Sequence, residues 1–171
     1  VNMKFMPTGG INAKNLNDYH AYDRIVACGG SWMVSGDLVK AGKFDEITAL
    51  TKEAVKNMLG FRIKHIGINS PDDTTAASTA NAFATMFGFD KNEAVGSYFC
   101  GEGIEVMKSQ GKGTMGHIAV GCNSVDRAVY HLSAQGVEFD MDTALYNEKG
   151  AMKFIYLKGE FGGFALHLTL N

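Results

Sequence analysis

The stretch Lys64-His65-Ile66-Gly67-Ile68-Asn69 returns some fifty residues later as Gly116-His117-Ile118-Ala119-Val120-Gly121. In each copy the branched residues (Ile66 and Ile68, or Ile118 and Val120) face one way and the histidine faces the other. Strict alternation of this kind marks a half-buried strand. Each copy is followed by a helical pattern and then by further strand-like sequence, so a strand-helix-strands unit occurs twice. Two more segments keep the period. Ile104 and Val106 alternate with Glu105 and Met107, and Phe164, Leu166 and Leu168 alternate with Ala165, His167 and Thr169. The four strands therefore carry His65, Glu105, His117 and His167 on the face opposite their branched side chains, which are expected beneath the helices. Small neighbours (Gly67, Asn69, Ala119, Gly121, Ala165) complete a lined cleft.

Between these strands the helix signals are local. Ser70-Pro71-Asp72-Asp73-Thr74 caps a helix with an apolar face of Ala76, Ala80, Phe83, Ala84 and Phe87, stopped by Gly88. Ser124 caps a second, carrying Val125, Ala128, Val129 and Leu132, which ends at Gly136. Further strands are expected at Ala94 to Cys100, Gly103 to Ser109, Val137 to Phe139 and Lys153 to Leu157. His20 and His131 fall on helical patterns and are expected at the surface.

The first sixty residues follow a different rhythm. Met3 to Met6 and Arg24 to Cys28 read as strands, each stopped by glycines, with a helical turn region at Asn12 to Tyr22 between them, where Leu16 and Tyr19 face inward. From Asp45, expected as the cap, Ile47, Leu50, Ala54, Val55 and Met58 recur at helical spacing until Gly60. Strand, helix, strand, helix argues for parallel strands. The domain boundary is expected there, giving domains at 1–59 and 60–171. Val1-Asn2-Met3 opens inside a strand-like stretch, as a piece of a longer chain would.

Composition narrows the function classes. A net charge of -2 offers no electrostatic reason for a nucleic-acid or membrane partner. The three cysteines show no metal-type spacing and read as reduced, buried hydrophobes of a cytoplasmic protein. No apolar run approaches membrane-span length.

Paired glycines at a strand's carboxyl end expose backbone N–H groups to an anion. Tight turning alone also accounts for such pairs, so the glycines by themselves do not decide. The fuller pattern does more. Lys4-Phe5-Met6-Pro7-Thr8-Gly9-Gly10-Ile11, then Cys28-Gly29-Gly30-Ser31-Trp32, then Ala41-Gly42 and a closing amphipathic helix resembles the end of the 2-keto-3-deoxy-6-phosphogluconate (KDPG) and 4-hydroxy-2-oxoglutarate (KHG) aldolases. The resemblance covers residues 1 to about 57 and implies the last two strands and helices of a (β/α)8 barrel. It implies that Thr8 helps bind a pyruvyl carboxylate and that Gly9, Gly10, Gly30 and Ser31 hold a phosphate. The family's Schiff-base lysine and acid/base glutamate have no counterpart in this sequence, so no catalytic residue is assigned, Lys4 included. Two strands of eight would also close no barrel and would leave exposed edges.

Residues 62–171 resemble the vicinal oxygen chelate superfamily, which includes glyoxalase I and the extradiol dioxygenases. Gly116-His117-Ile118-Ala119-Val120-Gly121 and Phe87-Gly88-Phe89 carry the likeness. It implies an α+β fold of paired βαβββ units around one divalent metal (Zn, Ni, Co, Mn or Fe), ligated at His65, Glu105, His117 and His167. Glyoxalase has a glutamate at the last position, so glyoxalase activity is not implied. The expectation is a carboxyl-terminal aldolase piece, needing no cofactor of its own, joined to a glyoxalase-like accessory domain in a homo-oligomeric lyase. Its substrate would be KDPG or KHG. The alternatives are a metal-dependent lyase or dioxygenase in its own right and a non-catalytic dimerisation or sensing module.

Overall fold

The structure is a computed structural model that describes residues 3–171. Val1 and Asn2, in the stretch read as an opening strand, lie outside the described residues. The chain forms two compact units, one ending at Gly60 and one spanning Phe61–Asn171.

In the first unit, two extended segments run parallel. Phe5 N donates to Arg24 O at 2.8 Å, Val26 N to Phe5 O at 3.1 Å, and Gly29 N to Pro7 O at 2.9 Å. They touch as single bridges, Phe5 to Ile25 and Thr8 to Gly29, and are shorter than the strands expected. Helix α1 is Leu16–His20, α2 is Gly36–Lys40 and α3 is Phe44–Leu59. Helix α2, not expected from the sequence, is a single turn capped by Ser35, whose hydroxyl accepts from Leu38 N. Helix α3 starts earlier than its pattern suggested. Phe44 already has helical geometry, so Asp45 lies inside the first turn, where its charge favours the helix dipole, and Lys43 holds the cap position. Gly60 ends α3 in the left-handed region, at φ 62°. Leu16 is buried, but Tyr19 is 38% exposed, because a five-residue helix has room for one inward row. Met3, Phe5, Met6 and Val26 are exposed on the paired segments.

The second unit has β1 Arg62–Ile68, α4 Asp73–Phe87, β2 Lys91–Glu93, β3 Ser97–Cys100 and β4 Ile104–Met107. The pattern repeats with β5 Gly116–Cys122, α5 Val125–Ser133, β6 Phe139–Tyr146, β7 Met152–Phe161 and β8 Phe164–Leu170. Eight strands form one sheet in the order β2-β3-β4-β1-β5-β8-β7-β6. Within each half the first strand pairs parallel with the last, β1 with β4 and β5 with β8, and β1 and β5 join the halves antiparallel. The paired βαβββ architecture is thus present, with irregular structure where β6 was expected to begin. Val137 lies outside β6, which runs on to Tyr146, and β2 was not foreseen.

Helix α4 is capped by Asp72, which accepts from Thr75 N at 2.7 Å, and packs on β3 and β4. Ala76, Ala80, Tyr98, Cys100 and Val106 form its core. Burying a side chain the size of Val106 is worth about 2 kcal/mol. Phe87 leaves this face and is 60% exposed. Helix α5, capped by Ser124 through Arg127 N, packs on β7 and β8, and its C-cap is Ala134, ahead of Gly136. The helices thus lie over the flanks of the sheet. On the central strands the burial expected from the alternation is reversed. Ile118 and Val120 are half-buried and Ile63 is 64% exposed, whereas His117 and Ala119 on the other face are buried. His20 and His131 are half-buried, not surface residues. Cys100 and Cys122 are buried and Cys28 is half-buried; none of the three is in a disulfide. Burial pushes the Cys122 thiol up to about 11, which leaves it unreactive. Among the described residues no helix is long and apolar enough to cross a membrane.

Candidate metal centre

Strand order and register bring the four singled-out side chains together. Glu105 on β4 and His117 on β5 both pair with Gly67 of β1. His65 on β1 and His167 on β8 both pair with Ala119 of β5. Each rung therefore places two polar side chains on either side of a small residue, over which they converge. Gly67 is required for this: a Cβ at that position would land on the His117 imidazole.

His65 Nε2, His117 Nε2 and Glu105 Oε2 form a triangle whose three edges are each 3.1 Å. One ring nitrogen from each of His65, His117 and His167 lies within 4.8 Å of the other two. The other carboxylate oxygen, Glu105 Oε1, accepts from Ser97 Oγ at 2.6 Å. Glu105 and His117 are only 13% and 7% exposed at the side chain. Burial pushes the Glu105 carboxyl up, but hydrogen bonds from His117, His65 and Ser97 outweigh it and hold the group well below the usual carboxylate range. Burial, with His117 and His65 nearby, pushes His167 down to about 4. Its Nδ1 is buried without a hydrogen-bond partner, which normally carries a cost of 1 kcal/mol or more. Imidazole nitrogens and a carboxylate oxygen gathered in this way, beside an unpartnered imidazole nitrogen, are the donor types that a divalent cation takes as ligands.

Aromatic residues wall the cluster. Phe99 meets His65 edge-on at 5.9 Å, Phe154 lies 4.5 Å from the His167 ring, and Tyr156 lies 5.1 Å from it. Burial and the Glu105 charge raise the Tyr156 hydroxyl above its ordinary value. None of these four residues (Ser97, Phe99, Phe154, Tyr156) was singled out from sequence. The alternation of Phe154 and Tyr156 about Ile155 was the available signal. Beyond Tyr156 a cavity of about 450 Å³ opens, lined by Lys112, Asp140, Lys158, Glu160 and Ala165 among others.

In the first unit the bridge between Thr8 and Gly29 sets the two glycine loops side by side at the carboxyl ends of the parallel segments. Gly9 and Gly10 take φ of 85° and 70°, values open to glycine, and Gly10 O accepts from Asn12 and Asn15. A Cβ on Gly30 would strike the Trp32 ring. Ser31 is exposed. Neither loop runs directly into a helix: α1 and α2 begin only at Leu16 and Gly36.

Residues 1–50 match the family model "Aldolase: KDPG and KHG aldolase". The 2-dehydro-3-deoxy-phosphogluconate aldolase of Treponema pallidum is 46% identical over 54 residues, 32% of this chain and 26% of that protein. The enzyme of the same name from Dickeya dadantii is 49% identical over 53 residues, 31% and 25% of the two chains. The KHG/KDPG aldolase of Escherichia coli K12 is 46% identical over 54 residues, 32% and 25%. The chain thus spans about a quarter of the length of these aldolases. Among solved structures, a methylmalonyl-CoA epimerase in complex with methylmalonyl-CoA and NH4+ is similar at 18% identity and TM-score 0.46, covering 64% of this chain and 94% of that one. A hypothetical protein from Bacillus halodurans C-125 aligns at 16% identity and TM-score 0.46, over 65% and 94%.

Proposed function

We propose that the Phe61–Asn171 unit holds one divalent cation at His65, Glu105, His117 and His167 and uses it to bind a small oxygen-chelating molecule. The observation that carries this reading is the triangle of 3.1 Å edges. A cation seated about 2.1 Å from each corner would see its ligands at angles of about 95°, as on one face of an octahedron. A ring nitrogen of His167 would be the fourth ligand, leaving positions for two substrate oxygens. Imidazoles with one carboxylate suit Zn, Ni, Co, Mn or Fe. When bound, such an ion supplies Lewis acidity toward a chelated oxygen. Ser97 orients the Glu105 carboxylate through its free oxygen. Phe99, Phe154 and Tyr156 restrict water around the imidazoles.

Chelator-treated protein reloaded with each of the five metals should take up about one equivalent and gain thermal stability, by about 4 kcal/mol at a thousandfold excess over Kd. His117→Ala should lose most of both. Uptake below about a tenth of an equivalent with all five would overturn the reading in favour of a metal-free module.

For the first unit we infer descent from a pyruvate aldolase, in which Thr8 meets a carboxylate and Gly9, Gly10, Gly30 and Ser31 meet a phosphate. Support comes from the match over residues 1–50 and from the adjacent loops. In a whole enzyme this unit would contribute to cleavage of KDPG or KHG into pyruvate and an aldehyde, within a cytoplasmic homo-oligomer. The chain alone should show no aldolase activity, since the family's Schiff-base lysine and acid/base glutamate have no counterpart in this sequence. Incubation with pyruvate and borohydride should leave its mass unchanged. A stoichiometric adduct on Lys4 would show that strand to be the lysine strand after all.

A further inference from the structure

The loop between β4 and β5 is built more rigidly than a surface connection requires. The Asn69 side chain, two residues past Gly67 on the same face, donates to Gly113 O at 2.7 Å and accepts from Gly111 N at 3.0 Å. Gly113 and Gly116 take φ of 81° and 139°, and a Cβ on either would strike backbone, at Gly116 O or Gly67 O respectively. These contacts fix the backbone on both sides of Lys112. Its ammonium lies 5.2 Å from the centre of the Tyr156 ring, which also meets the His167 ring at 5.1 Å. The result is a cation held on the wall of the 450 Å³ cavity, one aromatic ring away from the imidazole cluster.

Lys112 faces one carboxylate, Asp140 Oδ2 at 2.9 Å, with side-chain exposures of 48% and 31%. A pair that wet is weak, so an incoming carboxylate can take the place of Asp140 at little cost. Of the other charges on the wall, Glu160 accepts from Thr114 Oγ1 at 2.9 Å, and Lys158 pairs at 3.4 Å with Glu138 while more exposed than Lys112. Ala165 lines the cavity and is in register with His117, and Tyr156 lines it and meets the His167 ring, so the cavity adjoins the cluster.

We propose that this cavity is the ligand site of the metal centre, that it takes small dicarboxylates or related oxo acids, and that Lys112 is the residue that selects them. One carboxylate would reach the ion and the other would exchange with Asp140 on Lys112. The first anchor rests on the metal reading; the second does not.

Lys112 and its internal partner Asp140 make opposite predictions for paired variants. Succinate would be titrated calorimetrically into metal-loaded and chelator-treated protein. Lys112→Gln should weaken binding to the loaded protein about fivefold, and Asp140→Asn, which removes the internal competitor, should tighten it by a similar factor. Metal uptake should be the same in both variants as in the parent, because neither residue touches the cluster. Equal succinate affinity in all three proteins, or no binding to parent protein that has taken up metal, would overturn the assignment while leaving the metal centre intact. If the parent takes up no metal, the metal reading fails by itself. Lys112-dependent binding to the metal-free protein would then still support the cavity assignment, and its absence would overturn that as well.

Discussion

Gly67→Ala is expected to lower metal affinity about 10- to 100-fold without removing any ligand. The added methyl would occupy the space of the His117 imidazole, which rests directly on the Gly67 backbone. His117 cannot swing aside freely, because its ring stands 5.3 Å from His65 and 5.2 Å from His167. The variant must displace the ring or the strand, at a stability cost of about 1–3 kcal/mol even without metal. Circular dichroism should show the secondary structure retained while calorimetry shows the weakened site. Unchanged metal affinity would mean that His117 is not a ligand. Enlarging Gly103, which faces open space, serves as the control for glycine replacement in general.

Acid should destabilise the metal-free protein in two stages. His167 is buried and titrates near 4 in the fold, against about 6.5 in the unfolded chain. Its folded value is depressed, so its contribution is complete above pH 6.5 and is lost as pH falls toward 4, by about 3 kcal/mol in all. Glu105 is also depressed, which adds a further loss once pH drops below the usual carboxylate range. Thermal melts between pH 7 and pH 3 measure both stages. His167→Gln should flatten the first stage and leave the second. A melting temperature that is level from pH 6.5 to 4 in the parent would contradict the burial of a neutral imidazole. Metal-loaded protein should lose its ion over the same interval, because protons compete for the ligating nitrogens.

The helix faces show how far local pattern reaches. Ala76, Ala80, Val125 and Ala128 are fully buried where the 3.6-residue period placed them, whereas Phe87 at the end of α4 and Tyr19 in α1 are exposed. Burial at a helix end depends on what lies across from it, which periodicity does not record. The same limit explains the inverted burial on β5. Alternation separates two faces but does not say which one will be covered, and α4 and α5 lie over the flanks instead of the centre.

For the candidate centre the division is clear. The two-residue period of a strand is a property of the backbone, so each of His65, Glu105, His117 and His167 was bound to lie opposite the branched residues of its own strand. The register between strands, where a slip of one residue flips a face, decided that all four share one. Whether their tips would meet was decided by the order β4-β1-β5-β8 and by the register that sets Gly67 and Ala119 between them. Ser97, Phe154, Tyr156, Lys112 and Asp140 enter by the same route. Each reaches the centre or its cavity through strand pairing or loop closure across tens of residues of chain. Such contacts form because the sheet buries apolar surface as a whole, and no short stretch of sequence contains the information that places them.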